Sequence, residues 1–246
     1  MRCAFITGAN GGIGMALCRA FSCEGYRVIA SDLQPASHDL VCDAYIQLDL
    51  DHLCRDSDVR SLAIAGIRNA TEGASLKVVI NNAAMQIVKS VEQLTVDDWS
   101  ATFNVNALAP FLLVQSLLPE LVAAKGSVVN ISSIHSKLTK PEFTAYSTSK
   151  AAMDGLTRSL AVELGGRVRV NAISPAAIST PMLLAGFEGR SAEFQQLGAM
   201  HPTGGIGNPA EVAALALYLA SGSAEFINGA TLAVDGGIGV RLHDPV

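Results

Sequence analysis

A chain of 246 residues, half of them hydrophobic, is long enough to fill one well-packed core, and α/β folds of this length commonly form a single domain. Only 16% of the residues are charged, the net charge is −5, and no basic run exceeds a pair, which excludes the electrostatic footprint of a nucleic-acid or anionic-membrane binder. A small-molecule partner is the expectation.

Met1 and Arg2 lead directly into an apolar run too short for a secretory leader, and no stretch of eighteen apolar residues occurs, so a cytoplasmic setting without membrane insertion is expected. The five cysteines, Cys3, Cys18, Cys23, Cys42 and Cys54, form no Cys-x-x-Cys pair, and neither a disulfide framework nor a metal site is expected. The Asn-x-Ser/Thr triplets at Asn69 and Asn130 carry no glycosylation meaning without a secretory context.

Residues 3–7 form the first strand-like run. Directly after it, Thr7-Gly8-Ala9-Asn10-Gly11-Gly12-Ile13-Gly14 spaces its glycines Gly-x-x-x-Gly-x-Gly and enters a helical pattern over 12–24. Glycines let the backbone approach a pyrophosphate, whose charge is met by N–H groups at the helix start. A tight turn can need glycine for its geometry alone; the position after a first strand, inside a βαβ unit, favours the nucleotide. The second strand, 27–31, is followed by Asp32, eighteen residues past Gly14. A carboxylate there accepts hydrogen bonds from both hydroxyls of an adenosine ribose and repels a 2′-phosphate, so NAD is expected rather than NADP. After the third strand, 45–48, Asp49 and Leu50 are placed to meet the adenine, with capping of the next turn as the other reading of Asp49.

A helical spacer over 58–70 leads to the fourth strand, 77–81, which ends Asn81-Asn82-Ala83-Ala84. Small residues there let a nucleotide lie against the carboxyl edge of a sheet, although paired asparagines are also common turn formers. The spacer 97–124 reads as one long helix in which Pro110 predicts a kink. The fifth strand, 127–131, runs into Ser132-Ser133, and the helical stretch 145–164 carries Tyr146 and, four residues on, Lys150. Positions i and i+4 share a helix face about 6 Å apart. An ammonium there can favour the phenolate of a side chain that, near pKa 10, is otherwise a poor base at neutral pH. Ser133, thirteen residues before the tyrosine, adds a hydroxyl to hold a substrate oxygen.

A sixth strand, 168–173, precedes residues 178–207, which hold Pro181, Pro202 and six glycines among Met182, Leu183, Leu184, Phe187 and Phe194. A strandless insertion of about 30 residues is longer than most connections and reads as a substrate loop containing a short helix or two. A helix over 209–220 and a strand over 231–234 close the pattern. Seven strands alternating with helices predict a doubly wound, Rossmann-type parallel sheet with helices on both faces, in one domain over 1–246.

Taken together, Thr7 to Gly14, Asn81 to Ala84, Ser133, Tyr146 and Lys150 resemble the short-chain dehydrogenase/reductase family over essentially the whole chain. The resemblance continues in Val105-Asn106-Ala107, Arg169-Val170-Asn171-Ala172-Ile173-Ser174-Pro175, Ile178-Ser179-Thr180 and Asp235-Gly236-Gly237. It implies an NAD-dependent oxidoreductase interconverting a secondary alcohol and a ketone. Tyr146 would be the general acid/base, and Lys150 would lower its pKa and bind the nicotinamide ribose. Ser133 would orient the substrate, and Asn106 would steady a water in a proton relay. Gly8, Asn10, Gly11, Gly12, Ile13, Gly14, Asp32, Asp49, Leu50, Asn82, Ala83, Tyr146, Lys150, Ile178 and Thr180 would line the cofactor, with Ile178 and Thr180 at the carboxamide. The family implies a homo-oligomer, a tetramer or dimer, formed through the long helices after strands four and five. The chain departs from the family pattern at Ala84 and Ala176, usually glycine, and at Gly205, often arginine.

A non-catalytic NAD sensor or scaffold on the same fold tends to lose the tyrosine or lysine, and both are present. A serine hydrolase using Ser133 and His135 lacks a supporting acid and a Gly-x-Ser-x-Gly elbow. The enoyl-reductase branch of the family spaces its tyrosine and lysine more widely.

Overall fold

The apolar runs become strands because β-branched residues fit a pleated surface buried on both faces. In the computed structural model, which describes residues 1–242, β1 (Arg2–Thr7), β2 (Tyr26–Asp32), β3 (Ala44–Gln47), β4 (Ser75–Asn81), β5 (Ser127–Ile131), β6 (Arg169–Pro175) and β7 (Thr231–Val234) pair in parallel. Their order is β3-β2-β1-β4-β5-β6-β7. Every predicted strand lies within two residues of the observed one.

Successive side chains alternate between two cores. Phe5, Ile29, Val79, Val128 and Val170 join one, covered by α2 (Leu50–Arg55), α3 (Ser57–Ala70), α5 (Ala109–Ser116), α6 (Leu118–Ala123) and α7 (Thr144–Leu164). Ile6, Val28, Val78, Ile80 and Val129 join the other, covered by α1 (Gly12–Cys23) and α10 (Pro209–Ala220). The order reverses between β1 and β4, which opens a crevice at the carboxyl ends of these strands, where open α/β sheets bind ligands.

Two expectations need correction. The single helix over 97–124 is divided into α4 (Val96–Phe103), a π turn (Asn104–Leu108), α5 and α6. Pro110, at the start of α5, has no N–H to give the Asn106 carbonyl four residues earlier, and the wider π turn takes up the mismatch just before it. The second correction is α2, absent from the predicted elements. Asp49 Oδ1 caps it, accepting from the N–H groups of Asp51 and His52 at 2.9 and 3.1 Å. Within 178–207 the chain forms α8 (Pro181–Ala185) and α9 (Ser191–Met200).

Candidate active site

The turn after β1 is built from what its glycines lack. Gly8 has φ +66°, and a Cβ there would lie 2.7 Å from Ala83 Cα, so only glycine lets the turn touch the end of β4. A Cβ on Gly14 would lie 2.1 Å from the Gly8 carbonyl oxygen. On Gly12 it would meet Thr180 Cγ2 at 2.8 Å, which places Thr180 over the start of α1. That helix has no side-chain cap and no acidic residue in its first turn. The amides of Gly12, Ile13 and Gly14 have no helical acceptor, and a positive helix end faces the crevice. A dinucleotide pyrophosphate fits this cradle.

The polar residues around the turn hold it in shape. Asn10 N–H donates to Asp32 Oδ2 at 3.0 Å, joining the glycine turn to the end of β2, and Gln34 N–H reaches Asp32 Oδ1 at 3.3 Å. Each carboxylate oxygen keeps a lone pair for a ribose hydroxyl. The side chains of Asn10 and Asn82, both expected at the cofactor, are hydrogen-bonded to the chain itself. Asn10 Nδ2 donates to Pro35 O at 2.9 Å and its Oδ1 accepts from Ser37 N–H at 2.9 Å. Asn82 Nδ2 donates to the carbonyls of Thr7 and Gly8, both at 2.9 Å, and the N–H groups of Asn82 and Ala83 donate to Thr7 Oγ1 at 3.0 Å. Thr7 is thus the brace that the sequence motif contained and the predicted site omitted. Leu50 is buried in the core, and the capping role of Asp49 leaves its Oδ2 outside these bonds.

Across the crevice, Ser133, Tyr146 and Lys150 are 7%, 9% and 1% exposed. Ser133 ends the segment after β5, with Oγ accepting from His135 N–H at 3.1 Å, while the neighbouring Ser132 Oγ faces the Lys150 carbonyl at 3.4 Å. Lys150 Nζ donates to Ile131 O at 2.8 Å and lies 5.7 Å from the centre of the Tyr146 ring. Asn106, fully buried, exchanges hydrogen bonds with the Met85 backbone at 2.7 and 2.9 Å and donates to Ser149 Oγ at 2.9 Å; Ser149 in turn donates to Tyr146 O at 2.7 Å. The four predicted catalytic residues are therefore one buried cluster. Ser149, three residues after Tyr146 on the inner face of α7, was legible from helical spacing but carries no motif.

Charge in this cluster differs from expectation in one respect. Burial pushes the Tyr146 phenol up from its ordinary value, and the Ser133 hydroxyl pulls the other way. Lys150 is itself pushed down to about 8 by burial, with the Asp154 carboxylate one turn on acting against that. The phenol of the chain alone is raised rather than lowered, because desolvation outweighs its neighbours. His135 stacks at 4.7 Å on Phe143 and meets the Tyr146 ring edge-on at 5.9 Å; burial and Lys140 lower its pKa.

A parallel bridge pairs Ile178 with Gly207, through Gly207 N–H to Ala177 O at 3.0 Å and Ser179 N–H to Gly207 O at 2.8 Å. This alternation turns the N–H and C=O of Ile178 the other way, while its side chain is buried. Neither Ala84 nor Ala176 is among the non-glycine residues of positive φ, which among the described residues are Glu72, Lys125 and Glu142, so alanine strains neither position.

A nucleotide cradle and a buried Ser-Tyr-Lys cluster on one sheet edge define a nicotinamide-dependent oxidoreductase acting on CH–OH groups, and comparison with known proteins agrees. The family model described as "Enoyl-(Acyl carrier protein) reductase" matches residues 8–239. The chain is 36% identical to the galactitol 2-dehydrogenase (L-tagatose-forming) of Cereibacter sphaeroides, over 96% of this chain and 94% of that one. It superposes on the ligand-free aldohexose dehydrogenase of Thermoplasma acidophilum with a TM-score of 0.90 at 30% identity, covering 100% and 97% of the two chains. For a 4-hydroxyisoleucine dehydrogenase complexed with NADH the TM-score is 0.87 at 29% identity, covering 98% and 100%. The chain belongs to the short-chain dehydrogenase/reductase family.

Proposed function

We propose that the protein interconverts a secondary alcohol and a ketone with NAD in preference to NADP, and that its substrate is a polyhydroxylated, sugar-like alcohol. The observation that carries this reading is the buried contact set of Ser133, Tyr146 and Lys150 beside a glycine cradle whose ribose end is guarded by Asp32. The names of the galactitol and aldohexose dehydrogenases support the substrate class.

When bound, the oxidised nicotinamide supplies a hydride acceptor and a positive charge beside the phenol. Gly8, Gly11, Gly12, Ile13 and Gly14 would hold the pyrophosphate, Asp32 the adenosine ribose, Asp49, Leu50 and Ala83 the adenine side, Lys150 the second ribose, and Ile178 and Thr180 the carboxamide. Tyr146, as phenolate, accepts the carbinol proton in the oxidising direction and returns it in the reducing one. The Lys150 ammonium, charged below about pH 8, stabilises that phenolate. Ser133 Oγ holds the substrate oxygen. The Asn106 carbonyl, which the ring nitrogen of Pro110 denies its α-helical N–H, would steady a water leading protons toward Lys150. Residues 178–207 close over the substrate. An i, i+4 tyrosine and lysine suit this exchange better than reduction of an enoyl thioester.

A dimer or tetramer through the helices that follow β4 and β5 belongs to the same reading. It is supported by Val96 and Val162, which are 81% and 85% exposed on α4 and α7. Five free cysteines suit a reducing, cytoplasmic setting. Among the described residues no helix is long and apolar enough to cross a membrane.

The test is formation of reduced nicotinamide from NAD or NADP across galactitol, other sugar alcohols, simple secondary alcohols and, in the reducing direction, an enoyl thioester. Turnover of sugar alcohols with NAD is expected. Tight NAD binding with no turnover of any alcohol would refute the enzyme reading, and thioester reduction alone would refute the reaction class.

A further inference from the structure

Charged side chains are almost never fully buried unless they are paired. Among the described residues only two of the aspartates, glutamates, lysines and arginines are buried, Lys150 at 1% exposure and Asp154 at 5%. They lie one turn apart on the inner face of α7, where positions i and i+4 stand about 6 Å apart. Lys150 Nζ donates to Ile131 O at 2.8 Å. Asp154 Oδ1 is closed to solvent and accepts no hydrogen bond, and among the described residues the carboxylate has no ion-pair partner within 4 Å. A carboxylate so placed is costly to bury, and aspartate is a poor residue for a helix interior, so neither packing nor helix formation accounts for it.

The other ionisable groups on and around α7 are engaged elsewhere. Arg158 and Glu163, on α7 itself, are exposed. From α4 come the exposed Asp97 and Asp98, the latter accepting from Lys89 Nζ at 2.7 Å. From the turn after Ser133 comes His135, stacked on Phe143. From the start of β6 comes Arg169, whose guanidinium donates to the carbonyls of Leu219 and Ser221 at 2.8 and 3.1 Å. The π turn and β5 carry no ionisable side chain. Burial lowers Lys150 to about 8, and the Asp154 carboxylate is the charge that acts against this lowering. An opposite charge favours the charged form, so without the carboxylate Lys150 would give up its proton at a lower pH.

We propose that Asp154 is a positioning residue of the active site, acting through Lys150 by keeping its ammonium charged beside Tyr146. The buried lysine then remains a cation at neutral pH, and the Tyr146 phenolate keeps its partner. This inference rests on the reading of Tyr146 as the proton-transfer group and Lys150 as its cationic neighbour.

The test is an NMR titration with pH of the full chain carrying lysine labelled at Cε, on the wild type, Asp154→Asn and Asp154→Ala, with the Lys150 signal identified by its loss in Lys150→Met. In both neutral variants the Lys150 midpoint is expected at least about half a pH unit below that of the wild type. Turnover of an alcohol that the wild type oxidises is then compared across pH. The ratio of wild type to variant is expected near one in acid, where Lys150 is charged in both, and to rise through about pH 8 to at least ~3-fold, the factor that half a pH unit represents. A midpoint that does not move, or a turnover ratio that is the same at every pH, as a merely structural role would give, overturns the proposal. Should Asp154→Asn not fold, Asp154→Ala decides, alanine being the best helix former. Undiminished turnover in Lys150→Met would instead sink the underlying reading of the lysine, and the NMR midpoint would still decide whether Asp154 holds its charge.

Discussion

In the glycine turn the contacts are made by backbone atoms brought together where side chains are missing; Gly14 meets the Gly8 carbonyl and Gly8 meets Ala83. In the Tyr146 cluster the contacts are made by buried polar side chains, with Lys150 drawn to a carbonyl and Asn106 to the Met85 backbone. The first arrangement fails when atoms are added. The second fails when a polar group is removed, and because polar burial is costly its loss can leave the fold intact or firmer.

Lys150→Met separates the two arrangements most strongly. Turnover should fall by ~10² or more, as for loss of an acid/base group. Burial lowers Lys150 from 10.5 to about 8 in the folded chain, so the stability linked to its neutral form is present above pH 10.5 and lost as pH falls through 8. At pH 7 that cost is about 3 kcal/mol, offset by about 1 kcal/mol for the bond to Ile131 O. Urea denaturation should therefore find the methionine variant more stable by about 2 kcal/mol at pH 7, with the difference falling to zero near about pH 10 and reversing above it. Gly14→Ala breaks the other arrangement. Its Cβ, 2.1 Å from a carbonyl oxygen, should cost about 1–3 kcal/mol of stability and at least ~10-fold in NAD affinity by calorimetry. Asp32→Ala is milder, with selection of NAD over NADP falling ~10-fold in kcat/KM and Tm little changed.

Sequence reading reached the glycine turn, Asp32, Ser133, Tyr146 and Lys150 because their meaning is carried by local spacing or by position at a strand end. It reached the seven strands because their apolar runs are short and separated by helical periods. It did not reach the commitments of Asn10 and Asn82 to backbone carbonyls, since these contacts join segments 24 to 75 residues apart. The π turn at Asn106 was missed although Pro110 announced it, because a proline early in a helix is compatible with both a kink and a restart.

The central claim is that the Tyr146 hydroxyl moves the carbinol proton while cofactor affinity comes from the glycine cradle and the residues around it. Its most direct test is Tyr146→Phe, measured as single-turnover reduction of NAD by an alcohol the wild type oxidises, with NAD affinity determined on the same sample. The predicted result is unchanged NAD affinity and Tm with turnover lowered at least ~10²-fold. Turnover within a few-fold of the wild type would contradict the account.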